Sequence, residues 1–221
     1  MSLFSRLRTD AGNEWKTLLD HPFPRNLISG NLSLEKYYYY LSQDDHYLDE
    51  LLAALGMVIA RTEKRDIRYF SVKLLHSTLE GELAMHEEVA REGNFLQYPP
   101  GRCSREYGNY LILTALRGNE RDFFSALAPC IVSYREIAVR TRRHMSQHLP
   151  KIYEMWLDAY LADSYRDMVR DYINMLDSLA SGITHVDYER TLENFLQGCR
   201  FEYAFWEESF SIQEKKTQQE K

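Results

Sequence analysis

The chain has 221 residues, 44% apolar and 27% charged, enough to bury the core of one ordinary domain or of two very small ones. Its 27 Lys and Arg against 33 Asp and Glu give a formal net charge of −6, which argues against a nucleic-acid-binding protein and a lipid-surface protein. No window approaches the roughly 18 consecutive apolar residues of a membrane span.

Apolar positions recur mostly at intervals of three and four, which predicts an all-α protein with seven or eight helices around one core. The predicted helices run from Leu3 to Leu19, from a Ser33 N-cap to about Ala60, from Ile67 to Arg91, from a Ser104 N-cap to Gly118, from Glu120 to His148, from Ile152 to Leu161, from Ser164 to Leu179 and from Val186 to Ser211. We expect one domain over residues 1–221.

Prolines and glycines set the predicted helix ends. The HPFP segment at 21–24 ends the first helix, because proline disfavours helical backbone in the residue before it. The third helix is expected to end at Gly93, before the strongest loop signal, YPPG at 98–101. Pro129 is expected to bend or divide the fifth helix. The polar tail at 212–221 is expected to be frayed.

The N-terminus and the cysteines indicate the cellular compartment. MSLFSRLRTD carries charge and polarity where a secretory leader has an apolar run, so we expect a cytoplasmic protein. Cys103, Cys130 and Cys199 are odd in number and form no CxxC pair, so neither a disulfide framework nor a zinc site is indicated. The three thiols and the 16 tyrosines are left to be explained.

Asp44 is the acid of the second predicted helix that points towards the core. At about 100° per residue it shares one narrow sector with Tyr37, Tyr40, Tyr47 and Leu51, whereas the acids at positions 45, 49 and 50 fall outside it. Two interpretations stay open at this point. Asp44 is a functional carboxylate, or it is a structural group held by tyrosine hydroxyls.

Glu202 has the same character on the last predicted helix. It shares a sector with Phe195, Cys199 and Trp206, while the acids at 207 and 208 point elsewhere. Burial among aromatic side chains raises the pKa of a carboxyl towards neutrality, which suits a general acid. Phe205 flanks this sector and offers a flat face to a planar ligand. A buried Glu satisfied by a Tyr or a His is the alternative.

Cys130 lies in the segment ALAPCIVSYREI at 126–137, in line with apolar residues and Tyr134. A free cysteine at such a position is commonly a small core residue. The preceding Pro129 suggests a second interpretation, because a helix break exposes backbone N–H groups that favour the thiolate form.

Glu82 and His86 are spaced for one face of the third predicted helix. That spacing is compatible with a metal site, but a bundle di-metal site needs paired Glu-x-x-His motifs. The chain has no such motif, and its last predicted helix has no histidine inside the core pattern. His144 and His148 lie among arginines. We therefore expect Glu82 and His86 to form a buried hydrogen-bonded pair, and we expect no metal.

Several segments in this order resemble the TenA family, the thiaminase II proteins of thiamin salvage. They are HPF at 21–23 with Gly30-Asn-Leu, KYYYYLSQDDHYL at 36–48, Glu80 to His86, ALAPCIVSYREI at 126–137, Trp156 to Tyr160, and FEYAFW at 201–206. The resemblance extends over nearly the whole chain. Ala138 is a departure, because many members have glycine there.

The resemblance implies a heme-oxygenase-like all-α bundle without heme, assembled as a homotetramer. It also implies a hydrolase that releases 4-amino-5-hydroxymethyl-2-methylpyrimidine from the corresponding aminomethyl pyrimidine and, in many members, from thiamin. No cofactor and no metal are implied. The implied partner is this small molecule, with no nucleic acid and no membrane.

The resemblance also assigns roles. Cys130 corresponds to the family nucleophile, which adds to C6 of the pyrimidine, and places the chain in the cysteine class. Glu202 corresponds to the acid, and Asp44 to the group that holds the aminopyrimidine edge. The remaining substrate-binding positions implied are Tyr47, Tyr107, Tyr134, Tyr160 and Phe205.

Two other functions remain as alternatives. One is a metal-dependent oxygenase or a quinone-cofactor synthase on the same fold, which needs a metal-ligand set or a basic polycarboxylate pocket. The other is a non-catalytic pyrimidine-binding helical protein.

Overall fold

The computed structural model describes residues 1–92, 95 and 97–213, and these residues form helices and loops without a β-strand. The α-helices are α1 Leu3–Leu19, α2 Pro22–Ser29, α3 Leu34–Arg61, α4 Arg65–Ser77, α5 Ala84–Glu92, α6 Arg102–Arg117, α7 Glu120–Thr141, α8 Lys151–Leu161, α9 Asp163–Ser178 and α10 His185–Ser211. The all-α prediction is confirmed.

Helix α2 was missed by the sequence analysis, which treated HPFP as a helix end alone. The His21 imidazole Nδ1 accepts a hydrogen bond from the Phe23 N–H at 3.1 Å and so caps the helix. Pro22 stands at the first helical position, where its missing N–H has no intrahelical partner to lose. The left-handed Gly30, with φ of 76°, ends the helix.

The third predicted helix is continuous but not uniform. A π-helical turn at Thr78–Leu83 joins α4 to α5. Counting α4, this turn and α5 as one helix gives nine helices in the described residues, one more than the upper prediction. The extra helix is α2. The predicted stop at Gly93 lies outside the described residues, as do the tail residues 214–221.

Other predicted boundaries need correction. Gly101 is the N-cap of α6, and Ser104 lies within that helix. Helix α7 ends at Thr141 and is followed by a single 3₁₀ turn at Arg142–His144, so the helical prediction to His148 was wrong. The Ser33 N-cap is confirmed, since its side chain accepts from the Lys36 N–H.

Helices α3, α6, α7 and α10 surround the middle of the hydrophobic core, and α7 packs along α10. The largest fully buried side chains are aromatic, and five of them, on α2, α3, α8 and α10, form one group of contacting rings: Trp156, Trp206, Tyr37, Tyr40 and Phe23. This interior is where the functional candidates meet. Among the described helices, none has the length and hydropathy needed to cross a membrane.

Candidate active site

Helix α3 directs Asp44 into the core, as the helical wheel predicts. Asp44 is buried, and so are Tyr37, Tyr40, Tyr47 and Leu51 of the same sector. The Tyr40 hydroxyl donates to Asp44 Oδ2 at 3.2 Å, and the Trp156 indole N–H of α8 donates to the Tyr40 oxygen at 3.3 Å. A chain of two hydrogen bonds therefore fixes one side of the Asp44 carboxylate.

His86 of α5 lies between the carboxylates of Asp44 and Asp45. Its Nδ1 is 2.6 Å from Asp45 Oδ1 and its Nε2 is 3.4 Å from Asp44 Oδ2. Burial alone lowers the pKa of this imidazole, but the two carboxylates outweigh burial and raise the pKa to about 10. His86 is therefore an imidazolium cation at neutral pH.

This arrangement corrects two predictions. His86 pairs with acids of α3 and not with Glu82, because a cross-helix neighbour lies closer than the residue one turn away. Asp44 is also not the only acid of α3 that reaches the interior, since Asp45 contacts the buried His86 ring. His46, beside them, points to the loop and bonds the Tyr98 carbonyl oxygen at 3.0 Å.

Cys130 of α7 and Glu202 of α10 come together on the other side of the same interior. Both are buried, and the thiol lies against the Glu202 carboxyl and near the Tyr47 hydroxyl. Burial raises the pKa of Glu202 to about 8, although the neighbouring Tyr107 and Cys130 side chains oppose this shift. Glu202 is therefore mainly a neutral acid at pH 7.

The Cys130 thiol is not activated by a helix break. Helix α7 runs without interruption through Pro129, so the expected division of the helix was wrong and Cys130 does not begin a new helix. Burial, reinforced by the charges of Glu202 and Glu82, raises the pKa of the Cys130 thiol well above its ordinary value. The resting side chain is a neutral thiol.

Gly198 allows α10 to approach α7 at this point. A Cβ atom on Gly198 would lie 2.3 Å from the Ala126 carbonyl oxygen and 2.9 Å from Pro129 Cγ. Gly198 precedes Glu202 by one helical turn, and Pro129 directly precedes Cys130. The close approach of the two backbones therefore sets the distance between the thiol and the carboxyl.

Aromatic rings form the walls of the site. Tyr47 of α3 stacks on Tyr107 of α6, with ring centroids 4.6 Å apart. Tyr134 of α7 lies 4.9 Å from Tyr160 of α8, and Phe205 of α10 lies 6.1 Å from Tyr47. The structure thus brings all eight residues assigned by the resemblance to the same interior.

Two of these wall residues have unused polar atoms. The hydroxyls of Tyr47 and Tyr107 are buried, yet neither has a hydrogen bond of ordinary geometry within the described part of the chain. The Nε2 atom of His86 is in the same position, because 3.4 Å to Asp44 is an ion pair and not a full hydrogen bond. A buried polar group without a partner needs an explanation, and a ligand that supplies the partner is one.

Glu82 is a further carboxyl at this site. It accepts a hydrogen bond from the Tyr160 hydroxyl at 3.1 Å. Burial and the charge of Asp44 raise the pKa of Glu82 to about 7, against the effects of His86 and Tyr160. The spacing along the helix predicted a hydrogen bond between Glu82 and His86, and this prediction was wrong because the partner of Glu82 is Tyr160.

Other residues at the site were not assigned from the sequence. Tyr40, Asp45 and Tyr165 contact or influence the assigned groups, and Tyr165 of α9 donates to the Ile131 carbonyl oxygen at 3.1 Å. Tyr40 was on the predicted inward face of α3, so its helical position was an available signal. Nothing in local spacing indicates Asp45 or Tyr165.

A protein-family model decides the relationship of this chain. The model of the TENA/THI-4/PQQC family matches residues 10–211. The chain belongs to the TENA/THI-4/PQQC family. The matched range includes every residue of the site described above.

Curated relatives in this family match over nearly their whole length. An aminopyrimidine aminohydrolase of Bacillus subtilis is 26% identical over 211 residues, which cover 93% of this chain and 89% of the relative. An aminopyrimidine aminohydrolase of Halalkalibacterium halodurans is 28% identical over 218 residues, which cover 96% of each chain.

Solved structures confirm the predicted architecture. A TenA homologue from P. horikoshii superposes with a TM-score of 0.86 at 29% identity, over 95% of this chain and 99% of that one. A domain from Shewanella denitrificans described as having a heme oxygenase-like fold superposes with a TM-score of 0.75 at 14% identity, over 93% and 91%. The chain therefore has the heme-oxygenase-like fold of TENA/THI-4/PQQC proteins.

Proposed function

We propose that this protein is an aminopyrimidine aminohydrolase of thiamin salvage, which converts 4-amino-5-aminomethyl-2-methylpyrimidine to the 5-hydroxymethyl compound, with Cys130 as nucleophile. Thiamin, which carries a thiazolium on the same methylene carbon, is a second substrate. Family membership and the names of the curated relatives support the reaction.

The observation that carries the proposed mechanism is the contact between a neutral buried thiol, Cys130, and a buried carboxyl, Glu202, that holds its proton at pH 7. A nucleophile and an acid side by side can add across a polarised double bond without releasing charge into the protein interior. Asp44, held by Tyr40 and His86, is a fixed acceptor for the exocyclic amino group of the ring.

Addition is the first step. Glu202 gives its proton to the ring nitrogen next to C6 and takes the thiol proton, while the Cys130 sulfur bonds to C6. The net change adds S–H across the carbon–nitrogen double bond, and Glu202 ends as it began. The raised pKa of the thiol makes this coupled transfer necessary, because a free thiolate is scarce at this site.

Expulsion and hydration complete the cycle. The 4-amino nitrogen pushes electrons through C4 and C5, the exocyclic double bond forms, and the substituent on the methylene leaves with its bonding pair. Water then bonds to the methylene carbon, the electron pair of the exocyclic double bond returns to the 4-amino nitrogen, and the proton that the water loses goes to the solvent. Loss of the Cys130 sulfur from C6, with return of its proton, restores the aromatic ring and releases the alcohol. The aromatic walls hold the ring plane in line during these steps.

The test measures turnover of the aminomethyl pyrimidine and of thiamin by the purified protein and its variants. We expect kcat of Cys130→Ser to fall by about 10³-fold or more, because a serine hydroxyl is a far weaker nucleophile than the cysteine thiol that it replaces. Glu202→Gln is expected to lose about 10²-fold to 10⁴-fold, the usual contribution of a general acid.

Cys103→Ser is the matched control, because this cysteine is also buried but lies at the start of α6, where its thiol contacts the Phe201 carbonyl oxygen. It is expected to retain full turnover. Unchanged turnover in Cys130→Ser contradicts the mechanism. Failure of the unaltered protein to convert either compound contradicts the function.

We further propose a cytoplasmic homotetramer with one domain over residues 1–221. Large apolar side chains exposed on α4, on the π-helical turn that follows it and on α6 support the assembly, namely Tyr69, Val72, Leu79, Leu113 and Leu116. The hydrophobic core cluster, which draws on every helix, supports the single domain. Light scattering on the purified protein measures the assembly directly, and a mass near 26 kDa contradicts it.

A further inference from the structure

The π-helical turn at Thr78–Leu83 gives Glu82 its position. A π turn adds one residue to the helical repeat, so the side chains after it are rotated relative to those of the helix before it. Glu82 lies in this turn, and its carboxyl bonds Tyr160 of α8. The wide turn therefore directs an acid from the α4 side of the molecule into the site.

Glu82 is less deeply buried than the other acids of the site. Asp44 and Glu202 are buried, whereas Glu82 is half-buried. The two preceding residues, Glu80 and Gly81, line a surface cavity of about 450 Å³ between α4 and α9. Glu82 therefore follows directly on residues that lie at the molecular surface.

The charges around Glu82 favour a cation. Asp44 interacts electrostatically with Glu82, whereas Glu202 and Cys130, which hold their protons at pH 7, face the same interior as neutral groups. Among the described groups, His86 is the cation at this point, and the carboxylates of Asp44 and Asp45 already oppose it on its two sides. The tyrosines nearest to Glu82, Tyr160 and Tyr165, are neutral hydroxyls. An additional positive charge is therefore the missing complement.

We propose that Glu82 binds the positively charged substituent on the pyrimidine methylene and makes the site selective for cationic leaving groups. This inference rests on the proposed function. Both proposed substrates carry their positive charge on that substituent, as a primary ammonium or as a thiazolium. When the carbon–nitrogen bond breaks, the nitrogen keeps the bonding pair and leaves as a neutral amine, so no further proton donor is required.

The test compares two ligands of nearly the same shape. The 5-aminomethyl pyrimidine is a cation at pH 7, and the 5-hydroxymethyl pyrimidine is neutral. Their dissociation constants are measured by calorimetry in a Cys130→Ser background, so that no turnover interferes. We expect the cation to bind more tightly, and Glu82→Gln to weaken its binding by about 10-fold to 100-fold, the usual contribution of a hydrogen bond to a charged group.

The neutral ligand serves as the internal check on folding. Its dissociation constant is expected to change by no more than about twofold in Glu82→Gln, since it lacks the charge that Glu82 recognises. Glu80→Gln removes the same charge from the same π turn but at an exposed position that lines the surface cavity. This control is expected to change neither constant.

Three results overturn the inference. If Glu82→Gln weakens the binding of both ligands equally, Glu82 has a general structural role. If it weakens the binding of neither, Glu82 does not contact the ligand. An effect of Glu80→Gln as large as that of Glu82→Gln points to the overall surface charge. Failure of both ligands to bind before Glu82 is changed contradicts the proposed function itself, and is thereby distinguished from the other results.

Discussion

Asp44 and Glu202 are buried to almost the same extent, 4% and 2% exposed, but their neighbours differ. Asp44 has the His86 imidazolium 3.4 Å away and a hydroxyl donating to it. Glu202 has a thiol and a phenol beside it, no cation is among the main influences on it from the described residues, and burial raises its pKa to about 8. The two acids therefore lie at nearly the same depth and differ in their partners.

This division suits the proposed chemistry. Asp44 with Tyr40, His86 and Trp156 forms the Asp44 half of the site, which provides a fixed acceptor that orients the ring. Glu202 with Cys130 and Tyr107 forms the Glu202 half, which provides a proton that can move. Each half depends on groups from different helices: α3, α5 and α8 for Asp44, and α6, α7 and α10 for Glu202. The two halves can accordingly be disturbed one at a time.

The largest effect on stability is expected in the Asp44 half. His86→Gln removes the cation between two carboxylates and leaves their charges uncompensated in the interior. We expect the free energy of unfolding in urea at pH 7 to fall by about 3–5 kcal/mol, the usual cost of breaking a buried ion pair.

His76→Gln is the control for this experiment, because His76 is an exposed histidine on α4. It is expected to leave the free energy of unfolding nearly unchanged. Equal stability of His86→Gln and the unaltered protein would mean that Asp44 and Asp45 do not need the cation.

A smaller effect is expected where the Glu202 half is assembled. In Gly198→Ala the new Cβ meets the Ala126 carbonyl oxygen and Pro129, and relief of this overlap pushes α10 away from α7. We expect a loss of at least about 1–3 kcal/mol in the free energy of unfolding, together with reduced turnover.

Gly56→Ala provides the comparison, since a Cβ on Gly56 in α3 has no neighbour within 4 Å. Alanine has the better helix propensity there, so this variant is expected to be more stable by up to about 1 kcal/mol. Loss of stability in both variants would point to a general intolerance of helical glycine substitution.

The dependence of stability on pH is the smallest of these effects when it is taken over a single pH unit. The folded-state pKa of Glu202 is raised from 4.5 to about 8, so its contribution to stability is complete below pH 4.5 and is lost as pH rises through about 8. His86 is raised from 6.5 to about 10, so its contribution is lost between those values. Each group adds a slope of at most about 1.4 kcal/mol per pH unit.

Urea unfolding over a series of pH values separates the two halves. Glu202→Gln is expected to reduce the decline in the free energy of unfolding between pH 4.5 and 8. His86→Gln is expected to reduce that decline between pH 6.5 and 10. If both variants flatten the same pH range, Glu202 and His86 titrate as one coupled unit, and the division of the site into two halves is incorrect.

Helical periodicity predicted the parts of the site that depend on one helix. The inward faces of α3 and α10, with Asp44 and Glu202, follow from spacing alone, because a 3.6-residue repeat fixes which side chains share a direction. The resemblance supplied what periodicity does not contain, namely which of the three buried cysteines to single out.

Pairings between helices were beyond the sequence. Spacing placed Glu82 and His86 on one face, but it does not say that α3 brings Asp44 and Asp45 closer to His86. Pro129 was expected to break α7, because the rule for proline takes no account of neighbours. Helix α7 nevertheless continues through Pro129, which lies against Gly198 of α10.

The three tryptophans lie in two different surroundings, and this affects the fluorescence of the protein. Trp206 stacks on Tyr40 with centroids 5.1 Å apart, and the Trp156 indole bonds the Tyr40 oxygen. Trp15 of α1 instead stacks on Phe195 of α10, with ring centroids 5.5 Å apart. Two of the three indoles therefore sense the polarity next to Asp44, so the emission spectrum shifts when a heterocycle enters, while Trp15 supplies a constant background.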